Sequence, residues 1–461
     1  MEIINNESNF SNECDFNNKK HYSKKFRIEK VFLFLSLFFG IIFSFIFPIF
    51  YEGDAQFHFD YASYQANTVV NRELVGSTSS FGYDQEFNSI REGDYFQKYF
   101  VNKLDLIPRE QVKDKRAIRN KSIFNDVSHF FPALGVLIGY HIYPSIGSMI
   151  VTARLIMVFI YSISFYFILK KACFGKNLIF LTACTPVMII EGFSLSYDSL
   201  SFILTMALFT AQINKIYQKK TSITFITLIS IAVFFFTKEN MKITLLLSAV
   251  IVIAALTKTK NLSKAIKKNK YILISIGTVI IVTGYILFSK SHGGILNFSL
   301  RMLNTLLSIE NEQYTRGVLL GIMGDYTASY SLPWWCLYGY SIVYFLSIFG
   351  EIRPKISPLI SYIGGSLFFI NLLGTTGLYN TFSNTFRQPQ DITQVIGGQL
   401  GRYYTPLLPY FIFFQNIFNF RILITEETLN RIVILWTTFC LCLLLFITIY
   451  FCYILRIPAP I

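Results

Sequence analysis

The chain reads as an all-α, polytopic transmembrane bundle of about eleven spans with a cytoplasmic N-terminus. Three observations predict it. Of its 461 residues, 53% are hydrophobic and only 15% charged, whereas soluble domains carry roughly a quarter charged residues. The apolar residues come in blocks of about 17–24 with few charges, the length a helix needs to cross a bilayer. The blocks are continuous rather than alternating, which argues against a transmembrane β-barrel. A soluble enzyme, a secreted disulfide scaffold, a nucleic-acid binder and a disordered chain are excluded on the same grounds. The bilayer is therefore the first expected partner.

Residues 1–30 form a polar, Asn-rich tail ending in a basic run, Lys19, Lys20, Lys24, Lys25, Arg27 and Lys30. That run holds the tail in the cytoplasm. Residues 31–461 are expected to form one transmembrane domain. Its first span, 31–50, is too long for a signal-peptide core and lacks a small-residue cleavage site, so it reads as an uncleaved anchor. Residues 51–131 follow as a large extracytoplasmic loop with helix-like stretches such as 110–121. The short apolar run 132–143 closes that loop as a half-buried or interfacial helix. Further spans are expected at 149–169, 177–193, 200–216, 223–237, 241–256, 271–289, 334–350, 356–373, 405–420 and 432–455, with outer loops at 290–333 and 374–403.

The formal net charge is +14, from 41 Lys and Arg against 27 Asp and Glu. This excess is a topology signal rather than a nucleic-acid footprint: the segments assigned to the cytoplasm, including the basic loop 258–270, hold 22 of the 41 cations. Seven cysteines, Cys14, Cys173, Cys184, Cys336, Cys440, Cys442 and Cys452, show no disulfide framework or zinc spacing. Cys440 and Cys442 lie two apart in an apolar helix, so they face different ways and read as packing.

This topology collects five polar features on the outer side. The first is Glu52-Gly53-Asp54-Ala55-Gln56-Phe57-His58-Phe59-Asp60, where a short helix would bring Asp54, His58 and nearly Asp60 to one face. A partly desolvated carboxylate there can act as a general base, while plain interfacial acids are an equal reading. A metal site from Asp54, His58 and Asp60 is the weaker alternative, since no third strong ligand stands at a fixed spacing. No cofactor is expected. The second feature is Ser196-Tyr197-Asp198-Ser199, an ordinary N-cap whose Asp198 is also placed to bind sugar hydroxyls. The third is Thr237-Lys238-Glu239-Asn240 in a tight turn, read either as a Lys238–Glu239 pair or as charges facing a polar cavity. The fourth is Gly401-Arg402-Tyr403-Tyr404-Thr405-Pro406-Leu407-Leu408-Pro409. There Arg402 offers the planar fork that suits phosphate, and Tyr403 and Tyr404 suit an interface. The fifth is the loop with Arg301, Arg316, Asp325, Tyr326, Tyr330, Trp334 and Trp335, favoured as an aromatic membrane belt.

On these motifs, with Phe131-Pro132-Ala133-Leu134, most of the chain resembles the bacterial membrane proteins grouped as domain of unknown function 2142. The Gly401–Pro409 stretch is the most specific of them. More distantly the layout is similar to the GT-C integral-membrane glycosyltransferases, which have an acid near the start of a large first outer loop. Two departures stand out: Gly53 splits Glu52 from Asp54, and a proline pair is reduced to Pro132. The resemblance implies a multi-pass protein of a bacterial plasma membrane that transfers a sugar, with inversion, from polyprenyl phosphate to a cell-envelope glycan. Asp54 would be the base, with Asp60 or Glu52 in reserve. Arg402 and Lys238 would hold the phosphate, and His58, Asp198, Glu239, Tyr403 and Tyr404 would line the substrate site. A flippase or exporter for a lipid-linked polysaccharide, or a non-catalytic assembly subunit, is the rival reading.

Overall fold

The computed structural model describes residues 27–52, 54–70, 93–108, 122–218, 221–256, 294–308, 318–322, 332–351, 356–386, 400–418 and 420–455, with short pieces between 283 and 290. The expected helix at 110–121, the basic loop 258–270, and Arg316, Asp325, Tyr326 and Tyr330 lie outside the described residues. What is described is helical, with a single isolated β-bridge, Val70 to Leu106.

Helix α1 (Ile28–Ile46) stops where Pro48 forbids continuation and holds Phe47 extended. A short α2 (Ala55–Gln65) follows, then α3 (Ile123–Ser128), capped by Ser122, and α4 (Phe130–Ile142). Helix α5 (Ile146–Lys171), capped by Ser145, packs against both α1 and α4. The α4 contact is close because Gly135 and Gly139 face α5: a Cβ at Gly135 would stand 2.3 Å from the Ala153 Cα. Leu134, Ile138 and Ile142 stay exposed on the far side, so α4 is the half-buried helix the sequence predicts.

Next come α6 (Lys176–Ala183), α7 (Pro186–Gly192), α8 (Asp198–Gln218), α9 (Ile223–Phe236) and α10 (Leu245–Leu256). Beyond them lie α11 (Ile295–Leu307), α12 (Val318–Gly321), α13 (Trp334–Gly350), α14 (Pro358–Phe386), α15 (Phe414–Phe418) and α16 (Glu426–Thr448). A continuous aromatic core runs through Phe32, Phe43, Tyr161, Phe165 and Phe180. Phe225, Leu228, Phe235, Ile342 and Leu435 are exposed instead, as expected for side chains that face acyl tails.

Among the described residues, five helices are long and apolar enough to cross a membrane: Ile28–Ile46, Ile146–Lys171, Asp198–Tyr217, Pro358–Asn380 and Glu426–Ile454. The expected span 271–289 lies largely outside the described residues, and several of the other expected spans differ in form. Segment 177–193 is broken into α6 and α7, because Pro186 has no N–H and Thr185 caps a new helix, accepting from the Met188 N–H. The break would leave carbonyls bare. Tyr161 Oη donates to Ala183 O at 2.8 Å and Tyr340 Oη to Cys184 O at 3.1 Å. Segment 405–420 is a 3₁₀ helix, Thr405–Phe413, followed by one α turn, with Pro406 and Pro409 withholding two donors. Segment 241–256 begins as 3₁₀ over Glu239–Thr244. Helix α14 runs on into the expected outer loop 374–403, and α11 occupies part of the expected loop 290–333. Arg301 of that loop is buried. Trp334 and Trp335 lie exposed at the start of α13.

Candidate functional site

Asp54 precedes α2 with φ +57°, a left-handed conformation that Asp adopts more readily than most residues. Its carboxylate reaches Arg402, where Nη2 donates to Asp54 Oδ2 at 3.3 Å. Arg402 comes from a short 3₁₀ turn, Gly401–Tyr403, wedged against the bend after α12. Gly401 is needed there: a Cβ would stand 2.1 Å from the Gly321 carbonyl carbon.

The same guanidinium meets two more acids. Its Nη1 donates to Glu191 Oε1 from α7, and its Nε stands 3.8 Å from Asp198 Oδ2 at the start of α8. Lys238 completes the network, with Nζ 2.6 Å from Asp198 Oδ1. The Lys238 ammonium also lies between two rings, 4.5 Å from the Tyr197 centroid and 4.7 Å from that of Tyr403, each a favourable cation–π contact. Tyr379 stacks on Tyr403. The Lys238 turn is held by the Ser201 hydroxyl, and Asn240 Nδ2 donates to Tyr403 O at 2.6 Å. Arg402, Glu191 and Asp198 are almost wholly buried, whereas the Asp54 side chain is 47% exposed. The network thus opens outward through Asp54.

His58 lies beside this network, its ring edge-on to Tyr197 at 4.6 Å. His58 Nδ1 and His129 Nε2 are 2.9 Å apart, and His129 Nδ1 is 2.8 Å from Asn125 O. A carbonyl only accepts, so His129 carries its proton on Nδ1 and His58 donates from its own Nδ1. Burial lowers both rings: His129 to about 4, and His58 well below the ordinary value, where His129, Lys238 and Arg402 push the same way. Next to them Tyr61 donates to Asp126 Oδ1 at 2.7 Å. Burial first, and then the Asp126 carboxylate, raise the Tyr61 phenol.

The structure therefore brings Asp54, Asp198, Lys238, Arg402 and Tyr403 together, with His58 adjoining. Others go elsewhere. Glu52 is buried in a two-point pair with Arg154 of α5, at 2.5 and 2.7 Å, an anchor that takes up both carboxylate oxygens. Arg154 also donates to the Phe47 and Pro48 carbonyls. Glu239 is 89% exposed and pairs with Lys242, not with Lys238, because the 3₁₀ turn puts residues three apart on one side. Asp60 is half-buried further along α2, and Tyr404 packs near Phe368 in the core. Asp198 opens α8, but its carboxylate is spent on Lys238 and Arg402 rather than on capping. Among the described residues, no group of three His, Cys, Asp or Glu side chains is arranged to hold a metal ion.

Sequence reasoning missed Glu191, Arg154 and His129. The first two had a signal, a lone charge inside an apolar run, which is costly unless paired. His129 had none.

The helices and their exposed apolar faces define a polytopic membrane protein. A family model described as "Predicted membrane protein (DUF2142)" matches residues 37–411, and the chain belongs to that family. Neither the curated proteins nor the solved structures yield a match.

Proposed function

We propose that the protein is an inverting membrane glycosyltransferase of the GT-C kind, moving a sugar from a polyprenyl-phosphate donor to a cell-envelope glycan on the extracytoplasmic face. One observation carries the reading: residues 54 and 402, 348 positions apart, meet as a half-exposed carboxylate and a buried guanidinium at 3.3 Å. Transfer needs that combination. An acceptor hydroxyl attacks the anomeric carbon, its proton passes to Asp54, and the bond from that carbon to phosphate oxygen breaks. The electron pair leaves with the polyprenyl phosphate, whose developing charge Arg402 and Lys238 stabilise. The test supplies lipid-linked sugar and acceptor to membranes bearing Asp54→Asn or Arg402→Ala. The expected loss is on the order of 10²–10⁴-fold for a missing base and about 10²–10³-fold for a missing charge stabiliser. Undiminished transfer by both variants rejects the site.

Export of a lipid-linked glycan is the second reading. It is favoured by the break at Thr185–Pro186 beside Glu191, since interrupted helices carry substrate sites in transporters. Movement of lipid-linked sugar across proteoliposomes without a transfer product would select it.

A further inference from the structure

We infer that Asp54 occupies, in the resting protein, the place at Arg402 that the donor's phosphate takes, so that donor binding itself releases the base. The inference rests on the glycosyltransferase reading and deepens it. Three observations on this cluster support it. First, the acids around Arg402 differ in access: Glu191 and Asp198 are buried, and Asp54 is the half-exposed one. A ligand arriving from outside meets Asp54 first. Second, Asp54 holds Arg402 less firmly than the buried acids do: its hydrogen bond is long, at 3.3 Å, such bonds weaken with length, and its electrostatic effect on Arg402 is smaller than those of Glu191 and Asp198. Third, the charges balance for one class of ligand. Burial raises Glu191 towards its neutral form, so Arg402 and Lys238 face the carboxylates of Asp54 and Asp198 in balance, and an added anion finds no spare positive charge while Asp54 remains in place. A phosphodiester carries one negative charge, as Asp54 does, and exchanging one for the other leaves the total unchanged. A diphosphate would bring surplus charge into a buried site, which is costly.

The site is therefore built for a singly charged lipid phosphodiester in preference to a diphosphate. Freed from Arg402, Asp54 loses the cation that held it and faces the incoming acceptor hydroxyl. Asn fits the left-handed backbone at position 54 as readily as Asp, so Asp54→Asn removes the charge and keeps the turn.

The experiment measures binding of farnesyl methyl phosphate, a diester without a sugar, and of farnesyl diphosphate to the full-length protein in detergent. Wild type, Asp54→Asn and Asp54→Ala are compared, with melting temperature as the check on folding. The expected result is about tenfold tighter diester binding by both variants, together with a loss of transfer, and weaker binding of the diphosphate than of the diester. Equal or weaker diester binding by the folded variants overturns the exchange and leaves the phosphate site standing. Failure of the wild type and both variants to bind the diester overturns the exchange and the proposed function together.

Discussion

His58 and His129 show how a hydrogen bond can fix the protonation of two rings at once. Neither lies in a spanning helix. With His129 donating to Asn125 O and accepting from His58, both rings stay neutral, in accord with their lowered pKa values. The consequence for stability has a definite sign. In the unfolded chain a histidine takes its proton near pH 6.5, whereas in the fold His129 resists until about pH 4. Between those limits the unfolded state binds more protons, so acid favours unfolding there. The pair's contribution is fully present above pH 6.5 and is lost progressively towards pH 4. Melting curves from pH 7.5 to 4.5 should fall more steeply for wild type than for His129→Gln, and parallel curves would contradict the neutral pair. Glu52 shows the opposite lesson at this scale. Its position at a helix exit is the same kind of position as that of Asp54, and only the tertiary fold separates the buried anchor from the open acid.

The anchor acts on whole elements. Arg154 sits in the first half of α5, and its guanidinium closes over the end of α1 by holding Glu52 and the carbonyls of Phe47 and Pro48. Removing one partner strands a buried charge, at a cost of about 3–5 kcal/mol. Glu52→Gln and Arg154→Met should each lower the melting temperature strongly, and the double variant should fall short of the sum of the two. Additive losses would mean that the two residues do not act as a pair. Apolar runs made many elements legible: 149–169, 200–216, 223–237 and 334–350 all contain helices close to the expected bounds. Segments 177–193 and 405–420 were harder, because hydropathy records transfer into lipid but not where the hydrogen-bond ladder stops. Pro186, Pro406 and Pro409 carried that information, and their positions within the runs were the signal to read.

At the scale of the molecule, the candidate site was partly legible. Motifs at 52–60, 196–199, 237–240 and 401–409 were each visible as polar interruptions of an apolar chain. Their convergence rests on contacts between residues up to 348 positions apart, which no local pattern encodes. The pairing of Lys238 with Asp198 rather than Glu239 belongs to the same class. Sidedness is open to direct measurement. Asp105 lies exposed in the region that follows α2, so an Asp105→Cys variant in intact cells should react with a membrane-impermeant maleimide. Labelling only after lysis would place the Asp54 side of the protein in the cytoplasm.

The two tyrosines that serve the broken segment also impose an order on biogenesis. A bare carbonyl is expensive in lipid, and the Cys184 carbonyl receives its donor from Tyr340, a residue the ribosome has yet to make when 176–192 emerges. Tyr161 is already available by then; Tyr340 is not. The broken segment must therefore wait at the translocon or among waters until α13 arrives, and lateral release comes late. Nascent chains stalled before residue 334 should leave the Cys184 thiol, buried in the finished protein, open to alkylation, and chains stalled beyond 350 should protect it.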